Sequence, residues 1–293
     1  MSAAEAMALV RDGDHVALGG TCFSRTPMAL VFELIRQRRT GLTVSRPLAS
    51  QECELLMVAG AADRVITSWL AIGLRWGLSR VLREYVEGGH IEYEELSHLS
   101  LGMRYKAGAM GVPYLPTYTM LGSDLPAGTA AREAECPFTG DTLLLLPAIN
   151  PDVALIHAHS VDRYGNARID GSTHMDVDMA RAASTVIVSA ERIAEPEEIV
   201  AGAASTALPH FVVDAVVEAP YGSYPHDCHD RYEADYDHFT SYVDAIKAGG
   251  TAAVRDYLDR HVHSQRDFAG FLGLVGAERL AEREASAREL STR

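Results

Sequence analysis

Two adjacent glycines follow an apolar run near the amino terminus, and their spacing could serve chemistry. Val16, Ala17 and Leu18 are typical of a short inner β-strand, and Gly19 and Gly20 follow them directly. Glycine allows backbone geometry that a side chain would prevent, so we expect this turn to leave N–H groups pointing outward. The alternative is a tight connection between a strand and a helix, which is the commoner meaning of an isolated Gly-Gly pair.

Two neighbouring glutamates are a second candidate. Glu94 and Glu95 precede a helical stretch that contains Ser97 and Arg104. A carboxylate placed there could lie at a helix start, where the helix dipole stabilises negative charge. The simpler explanation is that glutamate favours the first turn of any helix, whether or not it takes part in chemistry.

Two further loops carry small polar residues. The segment "MLGSDLP" places Gly122 and Ser123 in what we predict to be a ligand-facing loop. The segment "AHSVDRYGNARIDG" places Asp162, Gly165 and Asn166 in a turn that follows the strand-like run "VALIHA".

The histidines invite a metal-site interpretation, but their spacing does not support one. Six candidate ligands occur in two groups: His157, His159, His226, Cys228, His229 and His238. The first group lies in an apolar run and the second in a mixed polar segment, and neither has a recognised ligand spacing. We therefore predict no metal site, because such residues more often belong to hydrogen-bonded structure.

Composition and missing motifs exclude several function classes. The chain of 293 residues is 47% hydrophobic and has a formal charge of −14, which opposes binding to nucleic acid or to an anionic membrane. Its four cysteines form no CxxC pair, so we expect reduced thiols. No membrane span or signal peptide is apparent, which predicts a cytoplasmic protein. The patterns GxSxG, GxxxxGK[ST], HExxH and GxGxxG are missing, which argues against elbow-type hydrolases, nucleotide kinases and Rossmann domains.

The elements that must position these residues alternate along the chain. Strand-like runs such as "HVALGG", "LTVSRP", "TLLLLPAI" and "STVIVSAER" are separated by helical segments such as "PMALVFELIRQRR". This alternation predicts an α/β fold with a largely parallel sheet flanked by helices. After about Pro225 no further strand-like run occurs. We therefore predict an α/β domain over 1–225 and a helical tail packed on it over 226–293.

These features together resemble the alpha subunit of family I coenzyme A transferases, in particular the glutaconate branch. The resemblance lies in "DGDHVALGGTCFSRTP", "VDRYGNA", "AGAMGVPYLPT" and "LGSDLP", and it covers about Asp12 to Pro220. It implies that a glutamate carboxylate attacks an acyl-CoA thioester, forms an acyl-glutamyl anhydride and then a glutamyl-CoA thioester, and passes CoA to a second carboxylic acid. Each attack creates an oxyanion, which backbone N–H groups at the glycine turn could stabilise.

The resemblance also implies which residues form the site. Gly19, Gly20 and Glu95 are the predicted catalytic residues. The predicted substrate-binding residues are Thr21, Phe23, Ser24, Arg25, Ser97, Gly122, Ser123 and Asn166. Coenzyme A is expected as a substrate, with no tightly bound cofactor.

The family's nucleophile motif, Ser-Glu-Asn-Gly or similar, is missing from the sequence. In two-subunit members that glutamate belongs to the beta chain, so we expect a beta-subunit partner in an α2β2 assembly. A related steroid-ring-opening branch is a hydrolase that uses an acidic residue of the alpha chain, and Glu95 lies where that residue would be. The alternatives are therefore hydrolysis by Glu95 and a non-catalytic acyl-CoA-binding subunit.

Overall fold

The structure is a computed structural model that describes residues 1–291. Fourteen β-strands occur in this part of the chain: β1 His15–Leu18, β2 Leu42–Arg46, β3 Ala62–Thr67, β4 Glu92–Glu95, β5 Tyr114–Thr117, β6 Arg132–Glu135, β7 Thr142–Pro147, β8 Val153–Ala158, β9 Ser160–Asp162, β10 Ala167–Arg168, β11 Thr185–Ala190, β12 Ile193–Ala194, β13 Thr206–Leu208 and β14 Ala215–Glu218.

Twelve α-helices occur in the same range: α1 Ala3–Met7, α2 Met28–Arg36, α3 Gln51–Val58, α4 Gly73–Trp76, α5 Arg80–Glu87, α6 His98–Ala109, α7 Asp176–Ala182, α8 Pro196–Ala201, α9 Tyr236–Gly249, α10 Thr251–Leu258, α11 Phe268–Val275 and α12 Ala277–Ser291. A π-helical turn, Asp259–His263, continues α10.

A seven-stranded sheet lies at the centre, in the order β14-β11-β8-β1-β2-β3-β4. All of its strand pairs are parallel. The predicted α/β fold with a largely parallel sheet and C-terminal helices is therefore confirmed. One apolar run lies elsewhere: "TLLLLP" is β7, the middle strand of a separate antiparallel sheet with the order β5-β7-β6. A four-stranded sheet, β12-β9-β10-β13, completes the β-structure in residues 1–291.

Side chains on the two faces of the central sheet enter two separate hydrophobic cores. Along β3, Val65 packs into one core and its neighbour Ile66 into the other, as the two-residue period of a strand requires. The first core also contains Phe239 and Tyr242 of α9, and the C-terminal helices pack on α2, α3 and α5. The division at residue 225 stays a prediction.

The strand register fixes how far apart the candidate residues lie. Ala17 pairs with Ser45, Ser45 with Ile66, and Ile66 with Glu94, so these four residues form one row across the sheet. Three strand spacings of 4.7 to 4.9 Å each separate β1 from β4, or about 14 Å. The glycine turn and Glu95 therefore lie at the same end of the sheet, where the carboxyl ends of the parallel strands meet and ligands commonly bind. They are not next to one another.

Candidate active site

The glycine turn that follows β1 donates its N–H groups inward. The Gly19 N–H donates to the Leu155 carbonyl of β8 (2.8 Å), and the Gly20 N–H donates to Asp176 Oδ1 at the start of α7 (2.8 Å). The Thr21 N–H donates to the Ser24 carbonyl (2.9 Å). The expectation that this turn leaves its N–H groups pointing outward is therefore wrong. Acceptors within the chain occupy them.

Gly20 is required by the shape of the turn. Its φ is +69°, a left-handed conformation that residues with a side chain rarely adopt. A Cβ atom there would lie 2.2 Å from the Ser24 carbonyl oxygen and 2.6 Å from the Arg25 carbonyl oxygen. Both contacts are with backbone atoms, so a side chain at Gly20 would displace the turn.

Arg25 is held by partners within the chain. Its guanidinium is 1% exposed, and Nη1 lies 2.6 Å from Asp176 Oδ2. The same side chain donates to the carbonyl oxygens of Ser172 (2.8 Å) and His157 (3.1 Å). These contacts fix the end of the turn against α7. Substrate binding by Arg25 stays a prediction, and the structure shows a positioning role.

Arg46, at the end of β2, organises the other side of the turn. It donates to the Gly19 carbonyl (2.6 Å) and to Thr26 Oγ1 (2.9 Å), and its Nε lies 2.7 Å from Glu52 Oε1. Both ionic side chains are fully buried. Sequence reasoning missed Arg46 and Asp176. An arginine that ends the apolar run "LTVSR" was a signal for the first, whereas nothing in the sequence marked the second.

The remaining residues of the turn have different surroundings. The Phe23 ring packs against Phe239, with ring centroids 4.6 Å apart, and the side chain therefore contributes to the first hydrophobic core. Ser24 hydrogen-bonds the Asp227 carboxyl, and burial raises the pKa of that carboxyl to about 7. Thr21 Oγ1 is buried and has no hydrogen-bond partner among the described residues.

The two glutamates of β4 point to opposite faces of the sheet. Glu94 is buried and forms ion pairs with Arg64 (2.6 Å) and Arg104 (2.5 Å). Glu95 is exposed, and its carboxylate has no hydrogen bond or ion pair within residues 1–291. The prediction that both lie at a helix start is wrong: they end an edge strand, and the cap of α6 is Ser97.

Ser97 joins the start of α6 to the predicted ligand-facing loop. Its Oγ accepts from the Ser100 N–H (3.1 Å) and lies 2.9 Å from Thr119 Oγ1. In that loop Gly122 and Ser123 are exposed, and Ser123 donates to the Met120 carbonyl.

Asn166 closes the turn that the sequence indicates, which in the structure joins β9 to β10 rather than following β8 directly. Its Nδ2 donates to Asp162 Oδ2 (2.8 Å), and its Oδ1 accepts from the His210 N–H (2.9 Å). The side chain therefore has internal partners at both ends, and its part in substrate binding stays a prediction.

Glu95 borders two hollows at the sheet edge. One, of about 300 Å³, lies between the ends of β3 and β4 and helix α5, and Ser68 and Tyr93 are among its lining residues. The other, of about 390 Å³, is bounded by Tyr93, Glu95 and the loop residues Asp124, Leu125 and Gly128. Burial, and then the Glu95 carboxylate, raise the pKa of the Tyr93 hydroxyl. The predicted ligand-facing loop thus flanks Glu95 rather than the glycine turn.

Two of the candidate metal ligands, His157 and Cys228, do approach one another, together with Glu191. Ligand atoms of His157, Glu191 and Cys228 lie within 4.8 Å. His157 already bonds Glu191 Oε1 through Nε2 (2.7 Å) and Ser189 Oγ through Nδ1 (2.9 Å), and the Tyr232 hydroxyl donates to the same Glu191 oxygen (2.6 Å). These hydrogen bonds explain the cluster.

The sequence profile of the coenzyme A transferase family matches residues 1–219. The chain belongs to the coenzyme A transferase family. Within residues 1–291, no helix combines the length and apolar character needed to cross a membrane.

Named relatives of this coenzyme A transferase chain extend over most of its length. One subunit of the Acidaminococcus fermentans glutaconate CoA-transferase is 33% identical over 290 residues, 92% of this chain and 89% of the relative. The corresponding subunit of a Pseudomonas knackmussii 3-oxoadipate CoA-transferase is 34% identical over 267 residues, 89% of this chain and 92% of the relative. An uncharacterised Archaeoglobus fulgidus protein is 35% identical over the whole chain, which spans 66% of that protein.

Solved structures agree with this placement. The crystal structure of the Acidaminococcus fermentans glutaconate CoA-transferase matches with a TM-score of 0.92 at 32% identity, over 96% of this chain and 94% of that one. Two relatives carry names of other reactions. The IpdA subunit of a Rhodococcus jostii cholesterol ring-cleaving hydrolase is 30% identical over 83% of this chain and 85% of the relative. The decarboxylase AibA/AibB matches with a TM-score of 0.79 at 30% identity, over 89% of this chain and 98% of that one.

Proposed function

We propose that this chain is the alpha component of a two-component CoA transferase that moves CoA from an acyl-CoA to a carboxylic acid. A beta chain completes the site and supplies the carboxylate nucleophile, in an α2β2 assembly in the cytoplasm. Family membership and the names of the relatives support transfer with a partner chain.

One observation supports a site in which this chain and its partner contribute different groups. Two carboxylates around the glycine turn are ion-paired within the chain, Asp176 with Arg25 and Glu52 with Arg46, and burial raises the pKa of the Asp227 carboxyl to about 7. The free carboxylate of Glu95 ends a strand about 14 Å away by strand spacing. These contacts favour a nucleophile at the turn that is supplied from outside this chain.

In the proposed reaction the partner's carboxylate attacks the thioester carbonyl and releases the CoA thiolate, which leaves an acyl anhydride. The thiolate then attacks the partner's carbonyl, so that a glutamyl-CoA thioester forms and the first carboxylic acid leaves. An incoming carboxylate repeats the two steps in reverse. Gly19 and Gly20 contribute through the shape of the turn, since their N–H groups donate internally.

A second candidate function, hydrolysis, is favoured by one feature. Glu95 is exposed, lacks an ion pair within residues 1–291 and borders a hollow, as a general base would. The Rhodococcus jostii hydrolase shows that a relative at 30% identity is named for a different reaction. A non-catalytic acyl-CoA-binding subunit is the third possibility, and it would bind acyl-CoA without turnover even when paired.

The test measures CoA transfer from butyryl-CoA to acetate by the chain alone, by its beta-type partner alone and by the mixture. We expect negligible transfer by either chain and robust transfer by the complex. Transfer by the isolated chain would contradict the proposal. Binding of butyryl-CoA by the complex without any turnover would favour the non-catalytic alternative.

A Glu95→Gln complex separates transfer from hydrolysis. We expect less than about a tenfold loss of turnover, because an essential base or nucleophile typically contributes about 100-fold or more. Collapse of turnover with normal assembly, together with acceptor-independent release of CoA by the wild-type complex, would establish hydrolysis instead.

A further inference from the structure

The hollow between β3, β4 and α5 has apolar walls. It measures about 300 Å³, the lower end of the range for small-molecule sites, and its apolar lining is contributed by Trp69, Leu70, Leu78, Leu82, Val86 and Tyr93. Leu82 is fully buried and forms part of the first core, so this wall is fixed. The hollow therefore offers a preformed surface for an apolar group.

Backbone hydrogen bonds connect this hollow to the glycine turn. The Cys22 N–H donates to the Leu48 carbonyl (3.2 Å), and the Ala49 N–H donates to the Trp69 carbonyl (2.9 Å). The loops after β1, β2 and β3 thus lie side by side along the sheet edge. Two strand spacings, about 10 Å, separate the turn from Trp69, a distance that an extended octanoyl chain can cross from a thioester at the turn but a valeryl chain cannot.

The charges around the hollow disfavour a second carboxylate. Glu87, Glu95 and Arg83 are its charged lining residues, and Arg83 lies 3.8 Å from Glu87. The sum is one negative charge, and the single arginine in the lining already has an acidic neighbour. A carboxylate at the far end of an acyl chain would lose hydration here without gaining a free cation from the lining that this chain provides.

We infer that this hollow binds the acyl group of the acyl-CoA substrate, and that it selects an uncharged, apolar chain over a dicarboxylic one. This inference rests on the proposed transferase function and names its substrate class. The selectivity differs from what the names of the glutaconate and 3-oxoadipate relatives indicate for those proteins.

The first test compares octanoyl-CoA with suberyl-CoA as donors for the complex, with acetate as acceptor. These donors share an eight-carbon acyl chain and differ only in a terminal methyl or carboxylate. We expect kcat/KM for octanoyl-CoA to be at least about tenfold higher. A preference for suberyl-CoA, with transfer intact, would overturn the inference and leave the proposed function standing.

Two substitutions in the apolar wall connect that preference to the hollow. Val86→Phe should reduce kcat/KM for octanoyl-CoA about tenfold more than kcat/KM for acetyl-CoA, because the acetyl group does not reach the hollow. Leu78→Phe repeats the test at an exposed lining position, in case Val86→Phe perturbs folding. Equal losses for both donors would contradict the assignment.

Two substitutions on α5 test the charge of the hollow. Glu87→Gln should narrow the discrimination against suberyl-CoA, whereas Glu84→Gln, on the same helix but outside the lining, should not.

A binding measurement distinguishes failure of the acyl-site inference from failure of the proposed transferase function. Trp69 and Trp76 are the chain's two tryptophans, so in a Trp76→Phe chain measured without its partner the fluorescence reports on the wall of the hollow. Saturable quenching by octanoyl-CoA that Val86→Phe weakens, without any CoA transfer by the complex, would refute the transferase function and retain the acyl site. Neither quenching nor transfer would refute both.

Discussion

The residues after β1 and those at the end of β4 lie at the same end of the central sheet, but their polar groups differ sharply in whether they have partners within the chain. After β1, the N–H groups of Gly19 and Gly20 and the guanidinium of Arg25 all have partners inside the chain. At the end of β4, the Glu95 carboxylate is exposed and has no partner among the described residues. The first region holds the fold together, and the second is open to a ligand.

This difference changes what a substitution should do in each place. In the turn, removal of one partner leaves a buried polar group unsatisfied, so we expect the main effect on stability. At the end of β4, an exposed side chain can change without exposing or burying anything, so we expect any effect on activity alone.

The largest effect is expected from Asp176→Asn. This change leaves the fully buried Arg25 guanidinium without its anion, which typically costs about 3 to 5 kcal/mol. Asp178→Asn, on the same helix, is the matched control, because the Asp178 pair with Lys106 is solvent-accessible and contributes about 0 to 1 kcal/mol. Urea unfolding of both variants measures the contrast. Similar losses in the two would show that the Arg25 pair is not a strong constraint.

Gly20→Ala should destabilise by about 2 to 4 kcal/mol, from left-handed strain together with the clash against two carbonyl oxygens. Gly122→Ala shares the positive φ, +75°, but its Cβ meets no atom within 4 Å, so it should lose only the strain of about 1 to 2 kcal/mol. Thermal unfolding of both variants gives the cost of the clash as the difference between their losses of stability. If Gly20→Ala folds normally and only turnover falls, the turn is catalytic in the way that the sequence indicates.

The neighbouring residues Glu94 and Glu95 of β4 allow the same comparison between a buried, ion-paired side chain and an exposed one. Glu94→Gln should cost about 2 to 3 kcal/mol, because it weakens the pairs that Glu94 makes with Arg64 and Arg104, of which Arg64 is partly exposed. Glu95→Gln should change the free energy of unfolding by less than about 0.5 kcal/mol. Chemical denaturation of both variants gives the comparison. A large loss at Glu95 would mean that its carboxylate is structural after all.

The last contrast depends on pH and concerns Asp227. Burial raises the pKa of this carboxyl to about 7, above its value in the unfolded chain, so the folded state retains the proton longer. Its contribution to stability is therefore present at low pH and is lost as pH rises from about 4 to about 7. Relative to wild type, Asp227→Asn should gain stability steadily between about pH 4 and pH 7, up to about 4 kcal/mol, measured by urea unfolding at each pH. A constant difference across that range would contradict the raised pKa.

Local patterns predicted most of the central sheet. Six of its strands coincide with apolar runs, because a strand buried on both faces is nearly continuous in hydrophobic residues. The seventh, β4, has the sequence EYEE and resembles the approach to a helix, since an edge strand with exposed acids carries little apolar pattern. The run "TLLLLP" is predicted correctly as a strand, but its place in the antiparallel sheet depends on β5 and β6.

The sequence by itself determined the α/β class, the position of the glycine turn and the resemblance to coenzyme A transferases, because strand periodicity and short motifs are local. Only the tertiary structure decided where the N–H groups of that turn point and how far Glu95 lies from it. The acceptor of the Gly20 N–H is 156 residues away in sequence, and the separation of Glu95 from the turn is set by strand order. Both depend on which distant segments meet, and no local pattern carries that information.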